Sequence, residues 1–227
     1  MQPLSIYVHI PFCRHRCGYC DFNTYAGMNH LIPAYISGLK SEIQQFENHD
    51  PAQEKYRVHT IFFGGGTPSL ISPDGIGDVL EQIHRVFHVD ENCEITMEAN
   101  PGTVTLATLE GYRDQGVNRI SLGVQSSNPG ELQLLEREHT FGEVQHAVAD
   151  ARKAGFSNLS LDLIFGIPGQ GMKSWQTSLA DAVSLAPDHL SLYSLTIEEG
   201  TPFAKYVREG KMAYPCLLYT SDAADEE

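Results

Sequence analysis

Three of the five cysteines fall within one short segment, Cys13-Arg14-His15-Arg16-Cys17-Gly18-Tyr19-Cys20. This C-x3-C-x2-C spacing puts three thiols on a single loop. Such a loop can wrap one side of a [4Fe–4S] cube, holding three irons and leaving the fourth without a protein ligand. An iron left open in this way can take a small molecule, as an open catalytic metal site does and a closed structural one does not. Arg14 and Arg16 add positive charge that favours thiolate. The competing chemistry is a structural zinc, with His9 or His15 completing a Cys3His set. Covalent c-type haem attachment is excluded, because Asp21 follows Cys20 where that motif requires histidine. Cys93 and Cys216 stand apart from the cluster.

Other residues of chemical interest lie far away in sequence. Gly64-Gly65-Gly66-Thr67-Pro68 follows an apolar run directly, and glycines there let a backbone approach a ligand closely. Glu98, Gln125 and Asp162 each stand at or near the end of a β-rich run. Asp162 interrupts Leu161-Asp162-Leu163-Ile164-Phe165, which is costly unless the acid is paired or faces a polar cavity. Arg137 could grip a carboxylate with two parallel hydrogen bonds. Two patterns are set aside: Gly166–Ser174 approaches a phosphate loop but has Met172 at the lysine position, and His84 and His88 are four apart on an expected helix but lack a third ligand.

These residues need a scaffold that brings strand ends together. Strands are expected at Leu4–Ile10, Val58–Phe63, Glu94–Glu98, Arg119–Val124, Leu159–Phe165 and His189–Leu195. Between them, helical spacing spans Leu31–Phe46, Pro73–Phe87 with Ser72 as N-cap, Leu106–Asp114, Phe141–Ala154 and Ser174–Leu185. Repeated β-α units demand a mainly parallel sheet with right-handed crossovers. A doubly wound sheet would gather its site at one switch point, whereas a barrel draws on several strand ends. Polar residues after all six strands favour a barrel-like α/β fold.

Fifteen Lys and Arg against 29 Asp and Glu give a net charge of −14. That balance argues against a nucleic-acid partner or an anionic membrane surface. A 41% hydrophobic share supports a folded core, and no apolar run reaches the roughly 18 residues of a membrane span. With no basic segment ahead of Arg14 the chain reads as cytoplasmic, where an odd cysteine count is no disulfide framework. Residues 1–212 form the expected core domain. Residues 213–227 have no helical or strand period, carry four acids and no base, and read as a truncation or sequence artefact.

The segment Tyr7-Val8-His9-Ile10-Pro11-Phe12-Cys13-x3-Cys17-x-Tyr19-Cys20 resembles the radical S-adenosylmethionine superfamily. Within it, the resemblance is to the branch of the oxygen-independent coproporphyrinogen oxidase and the haem chaperone HemW, and it runs from about Leu4 to Met212. It implies a partial (βα)6 TIM-like barrel whose Cys13, Cys17 and Cys20 are the metal ligands of a [4Fe–4S] cluster. S-adenosylmethionine would chelate the open iron through its amino and carboxylate groups. An electron supplied by a flavodoxin or ferredoxin would then cleave the sulfonium to methionine and a 5′-deoxyadenosyl radical. Matched position by position, Gly65, Gly66 and Thr67 attend the methionyl amino group, and Arg137 pairs with the methionyl carboxylate. Glu98, Gln125 and Asp162 hold further groups of the cofactor, and Tyr7 and Tyr19 flank the cluster.

Two functions follow from this resemblance. The favoured one is a chaperone that binds haem as cargo and delivers it to haem-requiring proteins, membrane-bound respiratory enzymes among them. The alternative is oxidative decarboxylation of coproporphyrinogen III in porphyrin biosynthesis. The oxidase pattern has a further cysteine where this chain has Phe22, and an N-terminal segment ahead of the motif where this chain has six residues before Tyr7. No catalytic residue is assigned, and the C-terminal domain of both families is expected to be missing.

Overall fold

The computed structural model describes residues 2–49 and 56–214, so Cys216 and nearly all of the expected tail lie outside the described residues. Six strands make one sheet in chain order: β1 (Gln2–Ile10), β2 (Tyr56–Gly65), β3 (His88–Ala99), β4 (Arg119–Gln125), β5 (Asn158–Phe165) and β6 (His189–Ser194). Every neighbouring pair is parallel. The order never reverses, so there is no switch point, and β1 and β6 do not pair among the described residues. The result is a curled half-barrel.

Helices fill the crossovers: α1 (Ile32–His49), α2 (Pro73–Val86), α3 (Leu106–Asp114), α4 (Pro129–Leu134) with α5 (Phe141–Lys153), and α6 (Met172–Ser184); α7 (Pro202–Arg208) follows β6. Strand alternation explains how the two faces differ. Leu159, Leu161 and Leu163 of β5, and Ile120, Leu122 and Val124 of β4, are wholly buried in the core shared with α2 and α5. Each such side chain contributes about 1.5–3 kcal/mol. The residues between them, Ser121, Gly123 and Asp162, face a cavity on the concave side.

Helix starts are written locally. Ser72 Oγ accepts from Gly75 N at 3.2 Å with Pro73 in the first turn, while Thr105 and Thr140 close reciprocal capping boxes with Thr108 and Glu143. Most element ends shift by a few residues, and three differences have a physical reason. β3 begins at His88, because His88 and Val89 pair with Arg57 and Val58 before a register break that the polar run Asp90–Asn92 hides from periodicity. α2 ends at Val86, which puts His88 on a strand and separates it from the helical His84. The short helix α4 has no apolar period, and it is started by Asn128 Oδ1 accepting from Gly130 N at 2.8 Å.

Candidate functional site

The cysteine loop leaves the end of β1 and is closed at its base. A two-residue bridge joins Phe12–Cys13 to Tyr25–Ala26, and Tyr25 N donates to Pro11 O at 2.7 Å. Inside the loop, Cys20 N donates to Cys17 O at 3.0 Å. Cys13 is buried, Cys17 and Cys20 are half-buried, and all three line one cavity of about 480 Å³. Burial pushes the Cys13 and Cys17 thiols up, against the Thr67 hydroxyl at Cys13 and the Arg137 guanidinium at Cys17. Neither candidate histidine joins the thiols. His9 is held by Tyr7 Oη at 3.1 Å and Asn23 O at 2.9 Å, and His15 pairs with Glu136 Oε2 at 2.8 Å. Among the described residues no three His, Cys, Asp or Glu side chains close on one ion-sized point.

The glycine turn after β2 is built against this loop. Gly66 N donates to Ile10 O at 2.7 Å and Thr67 N to Phe12 O at 2.8 Å. Thr67 Oγ1 donates to Cys13 Sγ at 3.8 Å and accepts from Asn100 Nδ2 at 3.1 Å. A Cβ on Gly66 would lie 2.7 Å from Phe12 O and 3.0 Å from Cys13 Sγ. Gly65, at φ +113°, donates its N–H to Glu98 Oε2 at 3.2 Å. The N–H groups of Gly65, Gly66 and Thr67 are thus all satisfied within the protein.

Glu98, Gln125, Arg137 and Asp162 face the same cavity. Desolvation pushes the Glu98 carboxyl up to about 7, helped by Asp162 and opposed by the Gly65 N–H. Asp162 is also raised by burial, though Ser121 Oγ donates to both its oxygens at 2.9 Å. Gln125 sits past a register break in the β4–β5 ladder, at φ +66°. Arg137 follows α4 rather than lying on a helix; it donates to Gly123 O at 3.2 Å and to Asn100 Oδ1. Tyr19 also lines the cavity and packs edge-on against Phe203 of α7, ring centroids 6.0 Å apart. Tyr7 does not line it: 58% exposed, the ring stacks on Phe62 just beyond Gly64.

Some contributors were not visible in the sequence. Asn100 bridges Thr67 and Arg137, and its nearness to Glu98 was the only signal. Glu136 anchors the cysteine loop by accepting from Gly18 N at 2.9 Å. Phe22 and Tyr193, both exposed, give the cavity an apolar rim. The phosphate-loop lookalike is closed: Gln170 Oε1 accepts from Gly166 N at 2.9 Å and Ile167 N at 3.4 Å, leaving neither amide for a phosphate.

The family profile described as the Radical SAM superfamily matches residues 7–182. The chain belongs to the radical SAM superfamily. It is 41% identical over 209 residues to the heme chaperone HemW of Haemophilus influenzae, covering 90% of this chain and 54% of that protein. It is 37% identical to HemW of Mycobacterium tuberculosis, covering 94% and 55%. To the mitochondrial radical S-adenosyl methionine domain-containing protein 1 of Danio rerio it is 37% identical, covering 93% and 47%. Among solved structures, coproporphyrinogen III oxidase (HemN) from Escherichia coli, a radical SAM enzyme, superposes with a TM-score of 0.83 at 30% identity, over 94% of this chain and 49% of that one. The chain spans about half the length of these proteins. Three thiols on one cavity, whose lining histidine, His15, is paired with Glu136, fit the [4Fe–4S] cluster that the radical SAM family implies.

Proposed function

We propose that this domain binds a [4Fe–4S] cluster through Cys13, Cys17 and Cys20, binds S-adenosylmethionine beside it, and serves a haem chaperone in the cytoplasm. One observation carries the cofactor half: the cavity that holds the three thiols is also lined by Glu98 and Arg137, groups suited to the two ends of an amino-acid zwitterion. Because the N–H groups of Gly65, Gly66 and Thr67 are consumed internally, the turn is left with acceptors. Carbonyl oxygens there, with Glu98, suit an ammonium group. Arg137 supplies the matching cation for a carboxylate. Gln125 and Asp162 extend the polar wall along which an adenosyl group would lie, and Tyr19 closes the side toward α7. Such a cluster, when bound, supplies the electron that cleaves the sulfonium.

The haem half rests on similarity to proteins named heme chaperone HemW, at 37–41% identity against 30% for the oxidase. Phe22, at the place of the oxidase's further cysteine, supports the same choice. Haem would be the cargo, haem-requiring proteins its recipients, and a flavodoxin or ferredoxin the reductant. No helix among the described residues is long and apolar enough to cross a membrane. The test is anaerobic reconstitution with iron and sulfide, then titration with S-adenosylmethionine and with haem. We expect a cluster spectrum that changes on cofactor addition, stoichiometric haem binding, and no protoporphyrinogen from coproporphyrinogen III. Multiple turnovers of coproporphyrinogen III would overturn the chaperone reading.

A further inference from the structure

We infer that Glu131 is a positioning residue: its buried carboxylate ties the exit of β4 to the exit of β5 and so holds Gln125 in the strained backbone that aims it into the cavity. Glu131 lies in the first turn of α4, only 8% exposed. Its Oε2 accepts from Ser126 Oγ at 2.6 Å and from Gln170 Nε2 at 2.9 Å, and its Oε1 accepts from Ser174 Oγ at 2.5 Å. A buried carboxylate is costly unless its oxygens are filled, and here three neutral donors fill them.

What those donors are attached to gives the network its consequence. Ser126 follows Gln125 directly, is fully buried, and donates its N–H to Val124 O at 2.9 Å. That bond closes a three-residue γ-turn around Gln125 at φ +66°, the strained hand of that turn. A non-glycine residue keeps such a backbone only where its surroundings over-determine it. On one side the register break between Gly123 and Gln125 does so; on the other, Ser126 Oγ donates to Glu131 at 2.6 Å, with Ser178 Oγ 3.1 Å away and Asn128 N donating to it at 3.0 Å. The second arm reaches Gln170, whose Oε1 caps the N–H groups of Gly166 and Ile167. One carboxylate oxygen thus fixes two strand exits, neither of which it covers itself, and Glu131 does not line the cavity.

This inference rests on the proposed binding of S-adenosylmethionine, so the test begins with the affinity of the reconstituted wild-type chain for that molecule. No binding there overturns the functional reading, and the inference with it. Given wild-type binding, Glu131→Ala is expected to weaken it roughly tenfold with iron content unchanged, the effect of losing one buried polar contact. Glu131→Gln should stay within about threefold, because its remaining oxygen can still accept from Ser126 and Gln170 while the Ser174 hydroxyl turns to accept. The discriminating measurement is a double-mutant cycle with Gln125→Ala. If Glu131 acts through Gln125, the double variant binds no more weakly than the worse single; a product of the two losses means independent effects and overturns the inference. Val144→Ala, a core change remote from the network, calibrates what destabilisation alone does to affinity. Should Glu131→Ala fail to fold, Ser126→Ala cuts the same link; wild-type affinity in whichever of the two folds also overturns the inference.

Discussion

Two glycine-rich turns leave two strands of the same sheet, and they do opposite things. The turn at Gly64–Pro68 sends its N–H groups across the chain, to Glu98, Ile10 and Phe12, so that it is knitted to the cysteine loop. The turn at Gly166–Gly171 sends its first two N–H groups to its own Gln170, which is fastened in turn to Glu131. A Cβ on Gly66 would collide with Phe12 O and Cys13 Sγ, whereas one on Gly169 would meet nothing within 4 Å. Both runs could cradle a ligand on composition alone. Glycine provides clearance, and the destination of the N–H groups decides what the clearance serves.

The strongest way to break this contrast is to remove what the first turn is built against. Cys13→Ala, Cys17→Ala and Cys20→Ala should each nearly abolish the absorbance of the reconstituted cluster, while Cys93→Ala, buried elsewhere in β3, should leave it intact. Full cluster content in Cys17→Ala would falsify the assignment.

A subtler change leaves every thiol in place. Gly66→Ala pushes a methyl into Phe12 O and Cys13 Sγ. Overpacking of this kind costs about 1–3 kcal/mol, and relief requires moving the loop. Iron bound per folded chain should fall at least severalfold in Gly66→Ala. Retention of wild-type iron content, with only the melting temperature lowered, would show that the turn is scaffold and not part of the site.

The first turn also leaves an electrostatic mark through the Gly65–Glu98 contact. Glu98 is raised to about 7 from 4.5, chiefly by desolvation. In that interval the folded chain holds a proton that the unfolded chain has released. Its contribution to stability is therefore fully present below about 4.5 and is lost as pH rises through about 7, in all on the order of 3 kcal/mol. Denaturant titrations of the cofactor-free domain should show that decline between these pH values, and Glu98→Gln should flatten it. Asp162, raised for the same reason, leaves a smaller slope in the variant. An unchanged profile in Glu98→Gln would place the pH dependence elsewhere.

The contrast also marks how far sequence reaches. Six β-α units were legible because β4 and β5 alternate cleanly, apolar toward the helices and polar or glycine toward the cavity. The cysteine loop was legible because its ligands are local. Asp162 stood out as an acid inside an apolar strand, and it does face the cavity. Asn100, Glu136 and Glu131 did not, since each acts through partners 31 or more residues away, or through several small hydroxyls that carry no motif. Tyr7 is a different case: alternation in β1 puts it on the concave face, and only coordinates reveal that its ring stacks on Phe62. The second glycine turn was ambiguous for a physical reason. Whether Gln170 folds back on Gly166 depends on Glu131 being there to hold its amide, and Glu131 comes from another crossover.

That dependence sets the smallest effect expected. Gly169 has φ +79° and open space around its Cα, so Gly169→Ala meets only the backbone penalty of an L-residue in the left-handed region. The cost is about 1 kcal/mol. Because the turn is capped by Gln170 and pinned through Glu131, the strain should be absorbed locally, with Gly166 N and Ile167 N still bonded. Thermal unfolding should come a few degrees lower, while iron content and affinity for S-adenosylmethionine stay at wild-type values. If iron content or affinity falls instead, the second turn shares the ligand after all, and the difference between the two turns would lie in degree and not in kind.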